Sequence, residues 1–104
     1  MSEAEERRKL YQNARQEYSS LVGKITEIES ERKEHVIVLE TLKKIGPGRR
    51  CWKSVGETLV EKDSSETMTT LEQQMRNIDQ ILEVLSKKLK ETEHQIKQME
   101  SEIN

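Results

Sequence analysis

Apolar residues recur at alternating spacings of three and four along the second half of the chain, with mostly charged or amide residues between them. The positions are Met68, Leu71, Met75, Ile78, Leu82, Leu85, Leu89, Thr92, Ile96, Met99 and Ile103, of which only Thr92 is polar. This spacing keeps one stripe of an α-helix turned toward a partner helix, and here it is sustained for roughly five heptads. The pattern predicts a long helix in a coiled coil.

The first half of the chain carries a second stripe, at Tyr11, Ala14, Tyr18, Leu21, Ile25, Ile28, Arg32, His35, Leu39 and Leu42. Each position can be matched with one position of the other stripe, as Leu42 with Met68 and Tyr11 with Met99, so that the two residue numbers always add up to 110. A constant sum is what a chain folded back on itself must show. We therefore expect the two helices to pair antiparallel within one chain.

Two signals set the ends of these helices. Gly46-Pro47-Gly48 predicts the end of a first helix over 4–45, because glycine accepts the left-handed cap conformation and proline cannot continue the hydrogen-bond ladder. Asp63 and Glu66 have the spacing of a capping box, which predicts the start of a second helix over 64–103.

Between the helices, over 49–62, the pattern changes to two short runs rich in β-branched and aromatic residues, separated by Gly56-Glu57. This is typical of a β-hairpin with a two-residue turn. The predicted fold is mostly α: a single domain over 1–104, in which a β-hairpin joins the two helices of a long antiparallel coiled coil.

The apolar side chains of the predicted hairpin have no third element in this chain to cover them. A lone two-stranded hairpin is marginal in water, and exposed strand edges are templates for pairing with other chains. We therefore expect hairpins of other chains to complete it, through an assembly surface formed by Cys51, Trp52, Val55, Gly56, Leu59 and Val60. The alternative is packing against its own helices, on Val36, Ile37, Val38 and Ile45.

Composition narrows the class further. The 104 residues are 37% charged and 32% hydrophobic, with one proline and a mean hydropathy of −0.92, which leaves too little apolar material for a globular core. A net charge of −2 gives no reason to expect nucleic-acid binding. The N-terminus lacks the apolar core of a signal peptide and the single cysteine suits a reducing compartment. We expect a cytoplasmic protein without a membrane partner.

Candidate chemistry is sparse. His35, His94 and Cys51 are too far apart in the predicted fold to form a metal site, and no phosphate-binding loop or nucleophile motif is present. We expect no metal, no cofactor and no enzymatic activity. Because Arg32 and His35 interrupt the apolar stripe, we expect these two polar layers to fix the register of the helix pair.

The ends of the coiled coil that lie away from the hairpin suggest a second surface. There the stripe pairs small or polar residues with flexible or bulky apolar ones, so we expect the ends to fray and to show apolar side chains to solvent. The apolar residues that such frayed ends would expose are Leu10, Tyr11, Ile96, Met99 and Ile103.

The central part of the chain resembles the prefoldin β-type subunits, most closely the subunit 2 branch in eukaryotes. The resemblance rests on EHVIVLETLK at 34–43, RRCWK at 49–53 and VGETLVE at 55–61, and the flanking helices agree in length and period. The chain departs from the family pattern at Trp52, Lys53 and Glu57, where tyrosine, arginine and glycine are usual.

This resemblance implies a heterohexamer of two α-type and four β-type prefoldin subunits, joined through their hairpins. It further implies that the coiled-coil tips hold unfolded proteins, notably actin and tubulin, and deliver them without ATP to the cytosolic group II chaperonin. The candidate client-binding residues are then the tip residues Leu10, Tyr11, Ile96, Met99 and Ile103. The rival interpretation is a structural coiled-coil tether or scaffold without client binding, which would need only a tight loop where this chain has 51–61.

Overall fold

The computed structural model describes residues 2–103 of the chain, except for the side chain of Ile103. Helix α1 spans Glu3–Ile45, strand β1 spans Arg50–Val55, strand β2 spans Thr58–Asp63, and helix α2 spans Ser64–Ile103. The predicted order of helix, hairpin and helix is confirmed, and the hairpin strands extend one residue further, to Asp63, than the sequence pattern indicated.

The chain divides into two compact units, and the single-domain interpretation stays a prediction. One unit is Ser30–Gln80, which contains the hairpin together with the adjoining parts of both helices. The other contains the residues up to Glu29 and those from Ile81 onward.

In both units the core is the stripe that the spacing predicted. Every stripe position with a described side chain is buried or half-buried. The unit Ser30–Gln80 buries Leu39, Leu42 and Ile78 to 8% exposure or less, and the other unit buries Ala14, Leu21 and Ile96 equally well. Thr92 is also buried, and its hydroxyl donates to the carbonyl oxygen of Lys88 at 2.9 Å, so its polar atom is satisfied within the helix.

This packing leads to a prediction for two isoleucines on α2. Ile78 is 7% exposed and Ile81, three residues further on, is 47% exposed. We expect Ile78→Ala to lower the free energy of unfolding by about 2–4 kcal/mol, because it empties a core position. Ile81→Ala should lower it by less than about 1 kcal/mol. Chemical denaturation of both variants measures the difference, and equal losses would contradict a core confined to one stripe.

Arg32 and His35, the polar residues that interrupt the stripe of α1, each find a partner on α2. Arg32 Nε donates to Asp79 Oδ1 at 2.7 Å, and this hydrogen bond is the main reason why the pKa of Asp79 lies below its usual value. His35 Nδ1 donates to the carbonyl oxygen of Glu31 at 2.9 Å, and its Nε2 lies 3.1 Å from Gln74 Oε1. Both contacts join residues at nearly matched stripe positions, as the antiparallel register requires. Their role in selecting that register stays a prediction.

The junction between α1 and the hairpin uses glycine as the sequence predicted. Gly46 has a φ of 89°, and its N–H donates to the carbonyl oxygen of Leu42 at 3.1 Å, which is the bond of a left-handed C-terminal cap. At the start of α2, Asp63 Oδ1 accepts from the N–H of Ser65 at 2.7 Å, so the capping role of Asp63 is confirmed.

Ser64 ties these two helix ends together, and the sequence pattern did not reveal this. Its side chain is fully buried. Its hydroxyl donates to the carbonyl oxygen of Gly46 at 2.9 Å and accepts from the N–H of Arg49 at 3.0 Å. Its own N–H donates to the carbonyl oxygen of Arg49 at 2.7 Å. Ser64 therefore connects, by hydrogen bonds, the segment that precedes the hairpin with the residue that follows it.

We expect Ser64→Ala to destabilise this junction. The substitution leaves the Arg49 N–H and the Gly46 carbonyl without their partner, and because both hydrogen bonds are part-buried we expect a loss of about 1 kcal/mol, at the lower end of the cost for buried groups. The matched control is Ser65→Ala, because Ser65 is exposed and its hydroxyl accepts only a 3.4 Å bond from the Gly48 N–H. Thermal melting should separate the two variants, and amide exchange at Arg49 should rise only in Ser64→Ala. Unchanged exchange at Arg49 would show that the hydroxyl is dispensable.

Candidate assembly hairpin and tip surface

The hairpin is a regular two-stranded antiparallel ribbon. Its register pairs Arg50 with Asp63 at the base and Val55 with Thr58 at the turn. Gly56, the first residue of the two-residue turn, has a φ of 61°, whereas no residue other than glycine has a positive φ in the described chain. Glycine at the first position with an ordinary second residue is the type II′ arrangement, so Glu57 is accommodated where the family pattern has glycine.

Alternation along the strands gives the hairpin two faces. The inner face carries Cys51, Lys53, Val55, Thr58, Val60 and Lys62. The outer face carries Arg50, Trp52, Ser54, Leu59, Glu61 and Asp63. Cys51, the one half-buried residue of the two strands, lines a groove together with Val38 and Leu42 of α1 and Leu71 of α2, and we therefore call its face the inner face. Trp52 and Ser54 of the outer face also contribute to the lining of this groove.

Most of the predicted assembly residues are uncovered. On the outer face, Trp52 is 63% exposed and Leu59 is 64% exposed. Val55 and Val60 are exposed as well, and Gly56 lies in the turn. Of the helix residues named for the alternative packing, Val38, Ile37 and Ile45 are 44%, 62% and 43% exposed, and only Val36 is half-buried. Val38 lines the groove without being buried by the hairpin. The chain alone therefore leaves most of both faces of its hairpin in water.

The predicted tip residues differ in how far their side chains are exposed to solvent. Leu10 is 58% exposed and lines a small hollow with Arg7, Met99 and Glu102. Tyr11 is half-buried, and its hydroxyl donates to Glu100 Oε1 at 3.1 Å.

The expectation that Ile96 shows to solvent is wrong, because its side chain is only 6% exposed. Ala14, at the matched position of α1, is buried too. A small residue lets the facing helix approach closely, so the layer closes where we expected it to fray. The side chain of Ile103 lies outside the described part of the chain. Leu10 and the half-buried Met99 are thus the apolar residues that this unit presents beside the hollow.

Several polar partners were missed by the sequence analysis, namely Gln74, Asp79 and Glu100. Each lies next to a stripe position, and each bonds to a residue of the opposite helix. Matching flanking positions as well as stripe positions would have paired Arg32 with Asp79, since both lie close to the same layer.

Two further structural findings concern metal-binding groups and membrane-spanning helices. Within residues 2–103, no three His, Cys, Asp or Glu side chains come together in a group that could hold a metal ion. Neither α1 nor α2, over their described lengths, contains an apolar stretch long enough to cross a membrane.

The fold defines a class of proteins in which two long helices form an antiparallel pair and a β-hairpin connects them. Residues 5–104 match the Prefoldin subunit family, which is nearly the whole chain. The chain therefore belongs to the prefoldin subunit family.

Known relatives agree with this assignment. Prefoldin subunit 2 of Rattus norvegicus is 38% identical over 79 residues, which are 76% of this chain and 51% of the relative. Prefoldin subunit 2 of Saccharomyces cerevisiae is 34% identical over 92 residues, which are 85% of this chain and 79% of the relative. The chain spans about half the length of the mammalian relatives that it matches.

A solved structure shows the same fold. The prefoldin beta subunit from Thermococcus strain KS-1 superposes with a TM-score of 0.87, covering 99% of this chain and 90% of that chain. The two sequences are 14% identical, so this likeness speaks for the fold alone.

Proposed function

We propose that this chain is a subunit of a prefoldin co-chaperone, a heterohexamer that it forms with α-type and β-type prefoldin subunits. The observation that carries the proposal is the uncovered outer face of the hairpin, where Trp52 and Leu59 are each more than 60% exposed. Exposed strand edges and an apolar face favour association with further strands. A helix pair that served only as a tether would have no use for such a connection.

The proposed activity is ATP-independent capture of unfolded proteins in the cytoplasm. The clients are unfolded actin and tubulin chains, which the hexamer delivers to the cytosolic group II chaperonin. Support comes from family membership and from the exposed Leu10 and the half-buried Met99, which flank a small hollow. Flexible apolar side chains such as methionine adapt to many sequences, as a holding surface must.

Two leucines of similar exposure provide the test of this proposal. Leu59 in the hairpin is 64% exposed and Leu10 on α1 is 58% exposed. We expect Leu59→Ser to weaken assembly with the other subunits at least about tenfold, since it removes an apolar contact at the joint. Leu10→Ser, the matched control, should assemble as the unchanged chain does. Neither variant should alter the melting of the isolated chain by more than about 0.5 kcal/mol of unfolding free energy.

Native mass spectrometry of the chain mixed with its partner subunits measures the assembly. A six-chain complex that forms equally well with Leu59→Ser would contradict the hairpin as the joint. A chain that forms no complex with other prefoldin subunits would instead favour the tether.

A further inference from the structure

The groove under the inner face of the hairpin combines an apolar floor with positive charge. Its volume is about 380 Å³, and Val38, Leu42 and Leu71 supply its aliphatic lining. Lys53 and Lys62 also line it, whereas the lining that the described residues form includes no carboxylate. Trp52 and uncharged polar side chains complete the lining, so the groove differs from a plain hydrophobic cleft in that its only charged lining residues, among those described, are two lysines.

Strand register explains why both lysines belong to one face. Lys62 is the direct cross-strand partner of Cys51, and Lys53 lies two residues beyond Cys51 on β1. Side chains two residues apart on a strand, and side chains directly opposite each other, point to the same side of a sheet. The half-buried Cys51 is thus a direct neighbour of two cationic residues that share its face.

The charges of the outer face are balanced differently. Arg50 Nε lies 2.9 Å from Glu61 Oε1, and Asp63 adds a second carboxylate to that face. In contrast, none of the ion pairs formed within residues 2–103 includes Lys53 or Lys62. The two faces of the hairpin therefore differ in charge balance. The outer face carries carboxylates beside its arginine, whereas the lysines of the inner face have no carboxylate partner among the described residues.

We propose that the groove and the inner face bind an acidic, aliphatic segment of a neighbouring prefoldin subunit. Aliphatic side chains of that segment occupy the floor at Val38, Leu42 and Leu71, and its carboxylates contact Lys53 and Lys62. This inference rests on the proposed assembly through the hairpin and adds the chemistry of the partner. Opposite charges across an interface select the correct partner and register, whereas a basic segment would be rejected by like-charge repulsion.

Zero-length crosslinking tests the contact directly. A carbodiimide joins an ammonium group to a carboxylate with loss of water, and only where the two groups touch. In the assembled complex we expect amide crosslinks from Lys53 and Lys62 to Asp or Glu of another subunit, identified by mass spectrometry. Lys44, an exposed lysine in the last turn of α1, is the control and should give few such links.

The inference is overturned if Lys53 and Lys62 form no link to another subunit, or if they link to a second copy of this chain. The second result would identify self-association as the use of the groove. Sedimentation of the isolated chain gives an independent check, because our proposal expects no self-association through these lysines.

Charge reversal tests the energetic importance of the contact. Lys53→Glu combined with Lys62→Glu should weaken assembly at least about tenfold, since two attractive pairs become repulsive. Lys53→Arg with Lys62→Arg keeps both charges and should stay within about twofold of the unchanged chain. Lys44→Glu, which changes charge outside the groove, should have no effect. Circular dichroism of each variant verifies that the helices are intact.

A strand-breaking variant separates this inference from the proposed function. If Val55→Pro prevents assembly while the double charge reversal assembles normally, the hairpin remains the joint and the acidic-segment proposal is wrong. If both variants assemble normally, the proposed hairpin joint itself fails.

Discussion

Val55→Pro should abolish assembly with other prefoldin subunits while leaving the chain mostly helical. Val55 pairs with Thr58 directly beside the two-residue turn, where the residues flanking the turn exchange main-chain hydrogen bonds. Proline has no N–H to donate, and its ring disturbs the strand. The turn then loses one of the two bonds between the residues that flank it, the one that the N–H of residue 55 donates to the carbonyl oxygen of Thr58, and both faces of the hairpin are disturbed together. Native mass spectrometry measures the loss of the complex.

The control for this experiment is Val55→Thr, which keeps the main-chain donor and the β-branched side chain. We expect it to assemble within about threefold of the unchanged chain, because threonine suits a strand as well as valine does. Circular dichroism should report similar helix content for both variants, since neither substitution touches α1 or α2. A complex that persists with Val55→Pro would show that the helices, and not the hairpin, hold the subunits together.

The helix pair was predictable from sequence because its energetics depend on a repeating pattern. A spacing of three and four places apolar side chains on one face, and burial of that face is the main favourable contribution to the stability of paired helices. Leu42 and Ile78, both predicted as stripe positions, are accordingly buried. The hairpin was predictable for a similar local reason, since Gly56 satisfies the turn between two strand-like runs.

Contacts between distant parts of the chain were less accessible to such reasoning. A serine at the start of a helix normally indicates a cap on its own helix, yet the hydroxyl of Ser64 bonds to Gly46 and Arg49, 18 and 15 residues earlier. Strand alternation predicts that Lys53 and Cys51 lie on the same side of the hairpin. It does not predict that this side forms a groove with Val38 of α1. Such information lies in the docking of the hairpin on the helices.

At the tip, the sequence-based expectation of poor packing between a small and a bulky residue was wrong. The small Ala14 opposite Ile96 suggested a badly packed, frayed layer. Both side chains are buried, because a small residue permits close approach of the helices. The apolar surface available for the proposed client contact is therefore narrower than the sequence indicated, with Leu10 exposed and Met99 half-buried.

We expect a hexamer carrying Leu10→Ser and Met99→Ser on this subunit to crosslink at least about fivefold less client through this arm. Leu10 is exposed and Met99 is half-buried beside the same hollow, so the double change replaces apolar contact with hydroxyl groups that water satisfies. In the proposed function each such contact is weak by itself, so holding strength requires several arms acting together. A photoreactive residue in place of the exposed Gln12, two residues after Leu10 on α1, reports the client that this arm contacts.

The matched control is Val84→Ser, because Val84 is a 65% exposed apolar residue of α2 that does not line the hollow. Client crosslinking and suppression of client light scattering should both match the unchanged hexamer in this variant. For Leu10→Ser with Met99→Ser, light scattering should change by less than the crosslinking does, since five other arms remain. Moderate salt should leave the difference intact, because an apolar contact is not screened as a contact between charges is. Undiminished crosslinking in the double variant would exclude the hollow as a client site and support a tether that uses other faces of its helices.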